Sequence, residues 1–196
     1  MSTKTFVDAG EPRVCADGGQ YDRAVHPSLE HCRADLRASL AGLTPAEADQ
    51  PIDDGWSIAG IVEHLDLSYT RCTDALVRRL EKGQPLERRP MTVQLRIGRL
   101  IILRLGGLFY PGGREAPAAI MPTGRRFREV DALIEPHLLV LDQRLKQAAR
   151  AFGTRAPVVN HPFLGACSVA DWRRFHRWHT RHHLEKVKGQ RAKVKG

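Results

Sequence analysis

Apolar positions along most of the chain recur at intervals of three and four, the spacing that lines one face of an α-helix. Leu29, Cys32, Arg33, Leu36 and Leu40 trace a first helix ending near Gly42. Thr44-Pro45 and the turn-rich Pro51-Ile-Asp-Asp-Gly55 separate it from the next periodic run. There Ile58, Ile61, Val62, Leu65, Tyr69, Cys72, Leu76 and Leu80 predict a long second helix, N-capped by Ser57 and closed by Gly83. Val93 to Leu108 reads as helical, weakened by Gly98, Gly106 and Gly107 and ended by Pro111-Gly-Gly113. Phe127, Val130, Ile134, Leu138, Leu141, Leu145 and Ala149 mark another long helix from Arg125 to Phe152, which Pro136 should bend or break. A turn-rich connection then runs from Gly153 through His161-Pro-Phe-Leu-Gly165. Ser168, with Asp171 three residues on, forms a loose capping box for a last helix that reaches about Val187. No alternating pattern marks a strand. Four long helices with one irregular or helical excursion predict an all-α fold, a four-helix bundle.

The length of 196 residues fits a single domain with a substantial core. Residues 1–22 are polar and glycine-rich and read as a flexible segment, 23–188 as the helical domain, and 189–196 as a basic tail. The net charge of +9 is spread over many segments. Without an aromatic-rich basic strand or zinc-finger spacing it does not predict specific nucleic-acid binding. Cys15, Cys32, Cys72 and Cys167 are dispersed, which points to free thiols in a reducing compartment. The amino terminus has no apolar run of signal-peptide type. The stretch Leu95 to Tyr110 is interrupted by Arg96, Arg99 and Arg104 and is too short to span a bilayer. A cytoplasmic protein without a membrane partner is the expectation.

The last helix places Trp172, His176, His179 and His183 on one face. Two imidazoles four apart can clamp one soft-to-borderline metal ion, and the third ligand must come from another helix. His64, inside the second periodic run, is the leading candidate. Three protein nitrogens leave a position for water or substrate, the pattern of catalytic sites. Zinc or nickel suits such a set, and iron accepts imidazole too. The glutamate of the H-E-x-x-H protease motif is missing. His176, one turn before His179, is a candidate catalytic or substrate-contacting group, whereas His182 points away. Glu63 and Asp66 flank His64; Glu63 is a candidate proton acceptor, although solvation at the surface is the ordinary fate of both. Cys72 is expected to be buried packing, Trp56 a buried anchor before the second helix, and His161 a loop residue near a pocket mouth. The alternative leaves these histidines as half-buried polar residues, with Trp172, Phe175 and Trp178 as plain packing.

Trp56-Ser-Ile-Ala-Gly-Ile-Val-Glu-His64-Leu65 resembles the G-W-S-x-x-x-x-x-x-H-L segment of the DinB-like metal-binding bundle proteins. His161-Pro-Phe-Leu-Gly165, followed by Trp172 and His179-Thr-Arg-His-His183, resembles their carboxy-terminal signature, and the branch catalogued as domain of unknown function 1569 is the most similar. The resemblance spans about residues 25 to 188. It implies a bundle of the DinB/YfiT-like type, His64, His179 and His183 as metal ligands, and frequent homodimers. Characterised relatives include transferases and isomerases that use a metal-activated low-molecular-weight thiol, while many others have no known activity; on an enzyme reading, a water or thiol at the open metal position would attack an electrophilic substrate. Relatives often carry Gln where this chain has Lys186. The apolar run Ile101-Ile-Leu-Arg-Leu105 is a candidate dimer contact. Two other classes compete: a non-catalytic metal-binding stress-response or structural dimer, and a basic interaction module for an acidic partner.

Overall fold

The computed structural model describes residues 24–51, 55–87, 90–105 and 116–195. The readings made for residues 1–22 and for Gly106, Gly107 and Pro111-Gly-Gly113 lie outside them. The described chain is mostly helical: α1 (Pro27–Leu40), α2 (Pro45–Asp49), α3 (Ile58–Glu81), α4 (Val93–Arg104), a 3₁₀ turn (Ala118–Ile120), α5 (Phe127–Phe152) and α6 (Val169–Lys195). Between α5 and α6 stands one hairpin, β1 (Pro157–His161) and β2 (Gly165–Ser168).

The helix boundaries follow local chemistry. Pro27 occupies the first turn of α1, where its missing N–H costs nothing, and Gly42 takes φ 70° just beyond its end. Ser57 Oγ accepts a hydrogen bond from the Gly60 amide and starts α3. Ser168 Oγ accepts from the Asp171 amide while Asp171 returns a carboxylate oxygen to Ser168, so the aspartate version of the capping box closes. The Thr44-Pro45 segment, read as connection, is the short helix α2, secured by a full capping box between Thr44 and Glu47.

Three further elements differ from the expectation. The helix α5 continues through Pro136, because Val130 and Ile134 before it and Leu138 and Leu141 after it are all buried and α5 packs extensively along α3. Burial on both sides outweighs the one lost hydrogen bond. Residues 157–168, expected as a loop, form the antiparallel hairpin, with Val159 opposite Cys167 and His161 opposite Gly165. Its strands have five and four residues, and the first begins with three consecutive buried positions, so no alternation announces it. Finally, α6 runs on to Lys195 instead of ending near Val187. Gln190 Nε2 donates to the Trp56 carbonyl at 2.8 Å, and the Arg191 guanidinium donates to the carbonyls of Ser39 and Ala41. These contacts tie 189–191, expected as part of a loose tail, to the ends of α1 and the entry to α3.

The helices α3 and α5 pack together, as do α1 and α6, and α3 also meets α6. Leu29, Ile58, Ile61, Leu65, Leu76, Ile134, Leu138, Leu141, Leu145 and Leu184 fill the core between them. Along the α3–α6 contact this core gives way to imidazoles.

Candidate metal centre

His64 lies two turns into α3, and residues 58–66 of that helix are buried on every side. His179 and His183 lie one turn apart on α6. The crossing of the two helices brings one nitrogen of each imidazole within 4.8 Å of the other two. His64 Nε2 and His179 Nε2 are 3.2 Å apart. Ligands about 2.0–2.1 Å from a tetrahedral ion stand roughly 3.3 Å from one another, so this pair already has the right separation. The three residues are 3%, 4% and 7% exposed. Among the described residues, these three form the group of metal-ligating type close enough to hold one ion.

Two observations test the fit of a cation here. His64 Nδ1 lies 2.8 Å from the Ile120 carbonyl, which can only accept. The proton therefore sits on Nδ1, and the Nε2 lone pair faces His179. The Nδ1 of His183 is buried without a hydrogen-bond partner. Burial, then the neighbouring imidazole of His64, His182 and the Lys186 ammonium, push His183 down to about 2. Burial holds His179 well below the usual imidazole range, with its histidine neighbours adding to the shift. Burial lowers His64 as well; the Ile120 carbonyl opposes that and Lys186 reinforces it. All three are neutral donors at physiological pH, the form a transition metal requires. The donor set fits a borderline divalent ion.

Aromatic rings enclose the cluster. The Trp56 indole stands 5.0 Å from the His64 ring and stacks on His183 at 6.5 Å, while Phe175 stacks on His179 at 5.0 Å. Trp56 was expected as a plain buried anchor; it is half-buried and walls the site. Gly60 permits this, since a Cβ there would lie 3.3 Å from the Trp56 Cβ. Phe175 was read from sequence only as packing, and the Ile120 carbonyl was not singled out. A backbone carbonyl has no sequence signature, and Phe175 is four residues before His179, the spacing that could have flagged it.

His176 is fully buried beside the triad, stacked on Trp172 and edge-on to Tyr69. Both its ring nitrogens lack a hydrogen-bond partner, and burial with the nearby His161 pushes it to about 3. His161 packs against Phe175 at 4.4 Å and is itself pushed to about 4 by burial. His182 is half-buried, outside the triad, its ring 5.2 Å from that of His183. Lys186 is exposed. Cys72 is buried, and burial raises its thiol well above the ordinary range.

Glu63 and Asp66 depart from the expectation of a solvated surface: both are buried. One residue before His64, the Glu63 side chain points about 100° away around the helix. It accepts from Thr123 Oγ1 at 2.6 Å and from the amides of Gly124 and Arg125 at 3.1 and 3.2 Å. Burial works to raise its carboxyl, and these hydrogen bonds more than reverse the effect, leaving it below the usual range. A carboxylate so occupied is a poor proton acceptor, which removes the ground for the catalytic role considered from sequence. Asp66 pairs with Arg125 at 3.1 Å and with His137 at 2.6 Å.

A family model described as the DinB superfamily matches residues 28–187. The chain belongs to the DinB superfamily. The matched span runs from α1 to the third-last turn of α6 and holds all three histidines. No curated protein and no solved structure matches the chain. Two cavities elsewhere in this DinB-superfamily protein are distinct from the triad. One of about 550 Å³ lies between α1 and α6, lined by Asp35, Arg177, Arg181 and Lys188, and one of about 170 Å³ lies between α3 and β1.

Proposed function

We propose that this protein binds one divalent transition ion, zinc or nickel in the first instance and iron next, through His64, His179 and His183. We further propose that it is a metal-dependent enzyme acting on a small electrophilic molecule. The observation that carries the reading is the convergence of three neutral imidazoles from two helices, with His64 held in one tautomer by the Ile120 carbonyl. Three protein ligands leave a coordination position, and an ion there supplies Lewis acidity to a water or a low-molecular-weight thiol. The chain's part is to present three nitrogen donors, and to exclude bulk water with Trp56 and Phe175. His176, with two unsatisfied buried nitrogens next to the triad, is the group proposed to contact substrate or carry its proton.

The tight branch assignment, domain of unknown function 1569, is supported by Trp56–Leu65 and His161–Gly165. The arrangement of α1, α3, α5 and α6 supports a four-helix bundle of DinB/YfiT-like type. Free, buried Cys32, Cys72 and Cys167 favour a reducing, cytoplasmic setting, and no described helix is long and apolar enough to cross a membrane. A non-catalytic metal-holding role is the second reading, favoured by the near-complete burial of the triad.

Metal content per chain after zinc or nickel reconstitution tests the site. Wild type and His182→Ala should hold one ion, whereas His64→Ala, His179→Ala and His183→Ala should lose stoichiometric binding. Wild-type protein that takes up no transition ion under reducing conditions rejects the site. Metal-loaded protein assayed with a panel of cellular thiols and simple esters then separates the readings. Turnover lost in His176→Phe with metal retained supports an enzyme; no turnover with any of them favours the holding role.

A further inference from the structure

The segment 116–126, which leads into α5, has no buried residue of its own, yet it supplies the carbonyl that orients His64. With only half-buried apolar residues such as Ile120 and Pro122, the latter beside Gly60 of α3, its place on α3 rests in large part on polar contacts. Four side chains of α3 provide them. Glu63 takes three hydrogen bonds from Thr123, Gly124 and Arg125, Asp66 pairs with Arg125, Arg71 Nε donates to the Ala119 carbonyl at 3.2 Å, and His64 donates to Ile120. Glu63 and Asp66 are three residues apart and grip the same turn.

We infer that Glu63 is a positioning residue for the metal centre: by clasping residues 123–125 it seats the Ile120 carbonyl against His64 Nδ1 and so presents the His64 Nε2 lone pair to the ion. The inference rests on the metal-binding reading above and assigns a residue beyond the three ligands. Its logic is that of any ligand imidazole held by an acceptor on its far nitrogen, where losing the outer partner weakens metal binding about 10- to 100-fold. Here the partner is backbone and cannot be deleted, so the carboxylate that holds the backbone is the accessible lever. Replacing Glu63 leaves two amides and a hydroxyl without their acceptor, and the Asp66–Arg125 pair and the Arg71–Ala119 hydrogen bond remain as the other side-chain contacts that seat the segment.

The test is zinc affinity by competition with a chromophoric chelator, paired with the imidazole tautomer of His64 by long-range nitrogen–proton NMR in metal-free protein. Glu63→Ala should bind zinc about 10- to 100-fold more weakly and show His64 as a mixture of tautomers. Glu63→Gln, whose amide oxygen can still accept from the two backbone amides while its NH2 turns to the Thr123 hydroxyl and only the charge is lost, and Thr123→Val, which removes one donor only, should fall between it and wild type. A folded Glu63→Ala with wild-type affinity and an unchanged tautomer overturns the inference. If that variant does not fold, Thr123→Val and Glu63→Gln decide by the same two readouts. If wild type binds no zinc, the metal reading fails, and the tautomer in metal-free protein still judges whether Glu63 positions His64.

Discussion

The histidines of the site carry its electrostatics in one direction. Burial disfavours the imidazolium, so each of these residues is neutral when folded and takes up a proton only when the chain opens. His161 shows the consequence away from the triad. Its pKa drops from 6.5 to about 4 on burial. The unfolded chain therefore binds more protons between pH 6.5 and 4, and stability is full above 6.5 and declines as the pH falls through that window. For one group the slope reaches about 1.4 kcal/mol per pH unit. Urea unfolding of chelator-treated protein at pH 7, 6, 5 and 4 should show a shallower decline for His161→Phe than for wild type. Parallel curves would mean that His161 is solvated in the folded protein. Gly60 makes a second residue-scale point. Gly60→Val forces the Trp56 backbone away from α3 and should lower both zinc affinity and the fluorescence shift that Trp56 contributes on metal binding; unchanged values would show that Trp56 is not a wall of the site.

Among the elements, α6 depends most on its start. Asp171 closes the capping box with Ser168 and also pairs with Arg99 of α4, largely out of solvent. Removing a cap costs about 1 kcal/mol, and stranding a partly buried partner adds to it. Asp171→Ala should therefore destabilise by about 2–3 kcal/mol, against about 1 kcal/mol for Ser168→Ala. Equal losses in chemical denaturation would show that the Arg99 pair contributes nothing. The same pairing orients α4. Within the run Ile101–Leu105, the candidate dimer contact, Ile102 and Leu103 are buried, Ile101 is half-buried, and Arg104 and Leu105 are exposed. Arg99 explains the buried side: its hydrogen bonds to the Leu164 and Ala166 carbonyls and to Asp171 hold that side of α4 against the hairpin and α6. What faces outward is Val93, Ile97 and Leu100, at 70%, 52% and 55% exposure.

At the scale of the whole molecule, that outward stripe is the surface on which a second copy is proposed to sit, since contiguous exposed aliphatic side chains on one helix face favour association. Light scattering across a range of concentrations should give a two-chain mass, and Ile97→Asp should shift it to one chain. A single-chain mass for wild type at every concentration removes the dimer proposal. Circular dichroism should be dominated by helix, as the element order requires.

How far the sequence reached depended on the range of the interaction concerned. The helices α1, α3, α5 and α6 were legible because amphipathic periodicity and capping residues such as Ser57 and Ser168 act within a few positions of the chain. The pairing of His179 with His183 was legible for the same reason. The choice of His64 rested on its place in a second periodic run and on family resemblance, and only the crossing of α3 with α6 put its Nε2 3.2 Å from His179. The hairpin was invisible because a short strand gains its stability from a partner ladder, which local pattern does not encode. The extension of α6 to Lys195 was missed because polar residues such as Gln190 and Arg191 read as solvated until the carbonyls of Trp56, Ser39 and Ala41 accept from them. Glu63 and Asp66 look like surface carboxylates on any helical projection. The turn at 123–125, about 60 residues downstream, supplies the donors that make their burial affordable. Local pattern determined which segments are helical and which face bears the imidazoles; the packing of distant segments decided which polar groups are buried together, because a buried charge or lone pair is stable only where another part of the chain satisfies it.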